Sequence, residues 1–332
     1  MAGTVYILSN IGTPSAPTTE AVAPYLTEFL TDPGVITLPW LFRQILVRGL
    51  IVPKRAPESA KKYAMIWTDE GSPLMVHAKA LQKNLAKELN APVLLGMLYN
   101  QPSMETAFRE AEKLGADRIV LVPLYPQFAE ATTGGTIKKA REVQKKLKQK
   151  IPLGILEKFP TEDFFLKPLA RIIAEQRQQG EHVLFTFHGL PESQVKQSTP
   201  ECLRTEGCCD RPPSETKNCY RAQSFATARA LARILGLQPG EWNVSFQSRL
   251  GRAKWIGPYT DHTLEAFPKK GIKKVLVTSP SFVSDCLETL EELGVEGKHT
   301  FLSNGGESYR LAPCVNSDEE FARGFAEALR RV

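Results

Sequence analysis

Residues Lys274 to Leu293, KVLVTSPSFVSDCLETLEEL, decide the fold. Val275, Leu276 and Val277 follow one another with no polar residue between them, so both faces of the segment need cover, as in a strand inside a parallel sheet. Ser279-Pro280-Ser281 breaks the run and reads as a turn, and Asp285 onward reads as a helix. On that helix Asp285, Glu288 and Glu292 are spaced three and four apart, which puts them on one stripe. The stripe begins where a strand's carboxyl end meets a helix start, the place where open α/β sheets hold their ligands. An acidic stripe by itself is more often a solvated face. Its neighbours have to decide between the two.

Working outward, the same strand, turn and helix unit recurs. β-rich runs stand at Thr4 to Ser9, Val93 to Met97, Arg118 to Val122 and Pro152 to Leu156. They return at His182 to Phe187, Trp242 to Phe246, Lys274 to Thr278 and Thr300 to Leu302, with amphipathic stretches of helix length between most of them. The run GADRIVLV from Gly115 parallels GIKKVLVT from Gly271, and a Gly-x-Pro follows the first strand of each half, at Gly12-Thr13-Pro14 and Gly189-Leu190-Pro191. The reading is an α/β chain of two similar doubly wound domains, each a four-stranded parallel sheet flanked by helices. The expected domains are residues 1–160 and 161–318, with residues 319–332 a closing helix that packs back on the first. No strand is followed by G-x-G-x-x-G or by G-x-x-x-x-G-K-[ST], so neither a dinucleotide nor a nucleoside triphosphate is implied.

Composition agrees with a folded chain: of 332 residues, 42% are apolar and 23% charged, enough to bury two cores. The opening MAGTVYILSN has no basic segment ahead of a long apolar one and reads as a first strand, so a cytoplasmic location is expected. The longest apolar stretch, Pro39 to Pro53, is interrupted by Arg43 and Arg48, which makes it a pocket lip or a surface helix able to rest on a membrane from the inner side. The net charge of +6 owes much to Lys138 to Lys150, a basic run with no interleaved aromatic residue, and nucleic acid is not an expected partner.

Among five histidines only His188 ends an expected strand, in Phe185-Thr186-Phe187-His188-Gly189-Leu190-Pro191. Strand ends of a parallel sheet converge, so His188 and the acidic stripe approach one crevice. An imidazole facing carboxylates is suited to proton transfer or to metal binding.

These residues resemble the ferrochelatase family, whose members insert ferrous iron into a porphyrin. The resemblance rests on Asn10-Ile11-Gly12-Thr13-Pro14, on Tyr25 to Pro33, on Gly71-Ser72-Pro73-Leu74 and on Tyr125-Pro126-Gln127-Phe128. It continues through His188 to Pro191, Gln247-Ser248-Arg249-Leu250-Gly251, Trp255 to Asp261 and Phe282 to Leu290. It implies His188 as the base and Glu288 as its acidic partner, with Asp285 and Glu292 conducting iron inward or protons outward. Both His188 and Glu288 are then also ligands to the arriving metal. Tyr63, Arg55, Trp255 and Phe282 are implied as porphyrin contacts, with Trp40, Leu41, Phe42, Ile45 and Leu46 as an apolar lip and Arg43, Arg48 or Arg55 at its charged rim. The implied partners are protoporphyrin IX and ferrous iron, the latter as substrate. Leu98 and Cys286 stand where other members carry a basic residue and a histidine, and Glu58 where some carry a lysine. A chelatase for cobalt or for coproporphyrin, or a tetrapyrrole binder without catalysis, would share much of this pattern.

Four of six cysteines crowd into Cys202, Cys208, Cys209 and Cys219, just past the His188 turn. Clustered thiols in a cytoplasmic chain point to metal, and four thiolates suit a [2Fe-2S] cluster or zinc equally. The spacing C-x5-C-C-x9-C is not that of a zinc ribbon. The resemblance favours the [2Fe-2S] cluster, since some bacterial ferrochelatases carry one on an internal segment.

Overall fold

The computed structural model describes residues 3–36, 38–200, 202, 207–211, 216, 218–249, 251 and 253–332, so Leu250 of the motif quoted above lies outside the described residues. β1 (Thr4–Ser9), β2 (Val93–Leu95), β3 (Arg118–Pro123) and β4 (Leu153–Ile155) form one sheet in the order β2-β1-β3-β4. β5 (His182–His188), β6 (Trp242–Gln247), β7 (Lys274–Thr278) and β8 (Ser308–Leu311) form a second in the order β6-β5-β7-β8. Every pairing is parallel. The two orders are the same permutation, which is the duplication expected from the echoing Gly-led strands.

One strand is misplaced by the sequence reading. Thr300 to Leu302 lies in the helix Lys298–Ser303, and the eighth strand is Ser308–Leu311. Thr-Phe-Leu is β-prone in isolation. Here it continues a preceding helix without a break, Phe301 is buried, and the chain turns only afterwards, at Gly305 with φ +94°. Punctuation outranks propensity at this point.

The chain divides into two compact units. The first comprises Met1–Leu124, Glu130–Glu157 and Phe325–Val332, and the second Tyr125–Ala129 and Lys158–Gly324. In the first, Val5, Ile7, Ile119 and Leu121 pack against Phe108, Ala111, Ile137 and Ala140 of the flanking helices. Ser72 and Ser103 cap the helices Pro73–Leu89 and Met104–Lys113 by accepting bonds from Met75 and Thr106 backbone N–H groups. Past β1, Gly12 has φ +97°, and a Cβ there would stand 2.0 Å from the carbonyl oxygen of Tyr99, so no other residue fits. In the second unit Leu184, Val275 and Val277 meet Leu264, Phe267, Leu293, Phe301 and Tyr309.

The Pro39 to Pro53 stretch forms the helix Trp40–Leu46, a π-turn over Val47–Ile51 and the start of the helix Val52–Ile66. Trp40, Leu41, Phe42, Ile45 and Leu50 are exposed. Arg43 is buried, and its guanidinium donates to the carbonyls of Ile36 (3.2 Å) and Leu38 (2.7 Å), so it braces the approach to this helix and is not a rim residue. Among the described residues, no helix is long and apolar enough to cross a membrane.

Candidate active site

His188 is the last residue of β5, and its backbone is held at both ends. Its N–H donates to the Ser281 hydroxyl (3.2 Å), and its carbonyl accepts from the Tyr220 hydroxyl (2.8 Å). On the ring, Nδ1 lies 2.7 Å from the carbonyl oxygen of Gly189. A carbonyl can only accept, so Nδ1 carries the proton and Nε2 keeps a lone pair when the ring is neutral. Gly189 then turns the chain: its N–H donates to the Gln247 carbonyl (2.8 Å), and a Cβ on it would lie 2.7 Å from that oxygen and 3.2 Å from Trp255 Cε3. The Phe282 ring stands edge-on to His188, with centroids 6.4 Å apart.

The acids arrive on a helix of another kind than the spacing suggests. Glu288 to Gly297 is a π-helix that follows one helical residue, Leu287, and Asp285 lies before it. Asp285 therefore does not share a helical stripe with the two glutamates. Its carboxylate is buried and accepts from the Asn316 side-chain amide (2.7 Å), the Thr289 hydroxyl (3.0 Å) and the Cys314 N–H (3.4 Å), which ties the start of the π-helix to the β8 side.

One amide ties the Glu288 backbone to the Glu292 carboxylate. Gln247 Nε2 donates to the Glu288 carbonyl (3.0 Å) and to Glu292 Oε2 (3.3 Å). Ser248, in a left-handed conformation at φ +65°, gives its backbone N–H to Glu292 Oε1 (2.7 Å) and its hydroxyl to Oε2 (2.6 Å). Burial, the largest influence, raises the Glu292 carboxyl above its ordinary value, and the Glu288 charge adds to it. The Ser248 and Gln247 donors and the nearby His188 imidazole oppose the rise. His188 and Glu288 thus both act on Glu292, and a buried carboxyl beside an imidazole and a second carboxylate is equipped to take up or release a proton or a cation. Burial also pushes the thiols of Cys286 and Cys314 well up, helped by Glu288 for the first and Asp285 for the second, so both stay protonated.

Of the other expected contacts, Trp255 is bridged by its backbone to Pro191 and so stands over the His188 turn. Tyr63 and Arg55 belong to the first unit. Tyr63 is buried with its ring edge-on to Trp67, and Arg55 is half-buried.

The four clustered thiols are all buried. Cys202 and Cys219 have their sulfurs 3.8 Å apart, and Cys208 and Cys209 4.0 Å apart. The Cys202 thiol, with the backbone N–H groups of Ala222 and Arg221, holds Cys219 down to about 6. Arg221 Nη1 lies 2.9 Å from Cys209 Sγ. Among the described residues, no group of three or more His, Cys, Asp or Glu side chains closes around a single point as a ready metal site.

Sequence reasoning named the histidine and both glutamates but not the residues that hold them and Asp285: Tyr220, Ser281, Gln247, Ser248, Thr289 and Asn316. Gln247 and Ser248 stood inside a quoted motif with no role attached. A serine followed in sequence by Arg-Leu-Gly carries no mark of a left-handed conformation.

Comparison with known proteins follows the same line. A family model described as Ferrochelatase matches residues 4–332. A ferrochelatase of Bdellovibrio bacteriovorus is 46% identical over 330 residues, covering 98% of each chain, and one of Pseudomonas fluorescens is 44% identical over 332 residues, covering 98% of this chain and 97% of that one. Among solved structures, SirB from Bacillus subtilis with Fe3+ superposes with a TM-score of 0.55 at 12% identity, covering 100% of this chain and 95% of that one. CbiX, described as the terminal enzyme of sirohaem biosynthesis in denitrifying bacteria, gives 0.50 at 12% identity over 99% of each chain. At such identity the last two speak for the fold.

Proposed function

The chain belongs to the ferrochelatase family, and on that premise we propose that it is a lyase inserting ferrous iron into protoporphyrin IX to form haem. Metallation requires the macrocycle to lose two pyrrole protons and the cation to shed most of its water. A base on one side and carboxylates along the metal's route meet those needs. The observation that carries the proposal is that His188 and Glu288 both act on the buried Glu292 carboxyl, which the Gln247 amide ties to the Glu288 backbone. His188 Nε2 takes the pyrrole protons one at a time, handing the first to the carboxylates before it accepts the second. Glu288 is its acidic partner, and the buried Glu292 carboxyl passes iron inward or protons outward. Carboxylate oxygens suit a metal that must be released again. Asp285 serves this set from behind, because its oxygens are occupied by Asn316, Thr289 and Cys314.

Trp255 and Phe282 beside His188 offer the flat ring apolar contact. A competition assay with ferrous iron and cobalt, over protoporphyrin and coproporphyrin, tests the reading. Iron with protoporphyrin should give the highest kcat/KM. Preference for cobalt, or tight porphyrin binding with no insertion, would sink it.

We also propose that Cys202, Cys208, Cys209 and Cys219 hold a [2Fe-2S] cluster. A metal with thiolates at about 2.3 Å in tetrahedral array has ligand sulfurs roughly 3.8 Å apart. The Cys202–Cys219 and Cys208–Cys209 pairs, at 3.8 and 4.0 Å, lie close to that spacing, and these four residues would hold the cluster. Four buried cysteine sulfurs, once deprotonated by the metal, are also the soft donor set that iron–sulfur chemistry requires. When bound, the cluster supplies a rigid cross-link, since metal insertion needs no electron from it. Purified protein should be coloured by sulfur-to-iron charge transfer, and a colourless protein would remove the cluster.

A further inference from the structure

Three consecutive residues connect the four-thiol site to the candidate base. Cys219, whose sulfur lies against Cys202, precedes and caps the helix Tyr220–Ile234. The next residue, Tyr220, is buried and sends its hydroxyl to the His188 carbonyl at 2.8 Å. The one after, Arg221, reaches Cys209 Sγ at 2.9 Å with one nitrogen and the Gly257 carbonyl with two others, at 3.2 and 3.0 Å. Its guanidinium also lies 4.7 Å from the centre of the Phe225 ring. Gly257 belongs to the turn that carries Trp255 and Tyr259, and the Tyr259 hydroxyl donates to the Trp255 carbonyl. A displacement of Cys219 therefore moves the group that fixes the His188 backbone, because the first residue of a helix cannot shift without its neighbour.

We propose that Tyr220 is a positioning residue for His188, and that the four-thiol site acts on iron insertion through it, with Arg221 tying the same site to the Trp255 turn. This rests on the reading of His188 as the base and of the four thiols as an iron–sulfur site. The thiol site is a clamp: filled, it fixes the start of the Tyr220–Ile234 helix and so the position of the His188 ring. Tyr220 touches neither metal nor porphyrin in this account. It works through the backbone it holds.

Tyr220→Phe removes a hydroxyl and little volume. Turnover should fall about tenfold while the KM for protoporphyrin stays within about twofold, the pattern of a misplaced reacting group and not of a damaged binding site. Cys219→Ser should lower turnover by a similar factor, and the double variant should be no worse than the poorer single, as for residues on one path. A readout independent of turnover follows from reciprocity: if the thiol site fixes His188, then ligand bound at His188 must steady the thiol site. Bound protoporphyrin should slow chelator bleaching of the sulfur-to-iron absorption about threefold or more in the natural chain and not in Tyr220→Phe. If that absorption is lacking, labelling of the four thiols by iodoacetamide, followed by mass spectrometry, takes its place. Absent absorption overturns the iron–sulfur reading alone, and the labelling still decides the coupling. Near-normal turnover of Tyr220→Phe, multiplying losses in the double variant, or porphyrin protection that survives Tyr220→Phe would overturn the proposal. Should Cys219→Ser fail to fold, the Tyr220→Phe measurements decide it.

Discussion

Replacing Ser248 by Ala removes one of three donors to Glu292 and leaves the other two, the Ser248 N–H and the Gln247 amide, in place. The loss depends on whether Glu292 is charged. A hydrogen bond to an ionised partner contributes about 1.5–3 kcal/mol and one between neutral groups about 0.5–1.5. Burial already raises the Glu292 carboxyl, so the folded chain holds this proton to higher pH than the unfolded chain does. The stability linked to it is present at low pH and is lost as pH rises through the folded value. The Ser248 hydroxyl offsets part of that loss, so removing it should matter little where Glu292 is protonated and more above. With roughly 2–4 °C of melting temperature per kcal/mol in a domain of this size, Ser248→Ala should melt about 3–12 °C lower than the natural chain at pH 8, and only about 1–6 °C lower at pH 4. Haem formation near neutral pH should fall about tenfold, since each 1.4 kcal/mol is a factor of ten. Melting curves by circular dichroism across pH 4–8 give the comparison. A gap that is absent, or the same at every pH, would refute the idea that the hydroxyl supports a buried charge.

The ion pair at the other end of β5 behaves with the opposite sign. Burial works against the Glu181 charge, but Arg310 at 2.8 Å through both Nε and Nη2, with the Gln178 N–H, holds the carboxyl below its ordinary value. Its stability is therefore present above the unfolded carboxylate range and lost as pH falls, and Arg310→Ala should cost about 3–5 kcal/mol by denaturant titration at pH 7 and less at pH 4. Gly189→Ala places a methyl 2.7 Å from the Gln247 carbonyl oxygen, which cannot retreat without breaking a backbone bond. It should cost about 1–3 kcal/mol and most of the insertion activity, and full activity would show that the turn yields. We propose that the exposed Trp40, Leu41 and Phe42 rest on a membrane surface. Since a large apolar side chain is worth about 1.5–3 kcal/mol, Leu41→Asp with Phe42→Asp should cut co-sedimentation with vesicles at least tenfold, and unchanged retention would discard the contact.

The fold was legible because the strands of a parallel sheet are covered on both faces and announce themselves as apolar runs. Val275 to Val277 and Ile119 to Val122 can be little else, and their similar, Gly-led surroundings gave away the duplication. Thr300 to Leu302 misled because a three-residue β-prone run is settled by what precedes it. The site was legible only as far as residue type and order reach. A histidine at a strand end and glutamates four apart can be read, but the width of a helical turn cannot, and Asp285 was set on a stripe that the π-helix does not extend to. The groups that give the site its shape were silent for another reason. Tyr220, Ser248 and Asn316 act through contacts 32, 44 and 31 residues away, which no local pattern encodes.

The central claim is that His188 and Glu288 move the protons and the metal and do not merely hold the ring. It is tested most directly by measuring anaerobic insertion of ferrous iron into protoporphyrin by His188→Ala and Glu288→Gln, beside fluorescence titration of porphyrin binding to each. The account predicts insertion reduced at least a thousandfold for His188→Ala, on the order of what a positioned general base supplies, with porphyrin affinity close to that of the natural chain in both. Near-normal turnover in His188→Ala, or loss of porphyrin binding in step with loss of turnover, would contradict it.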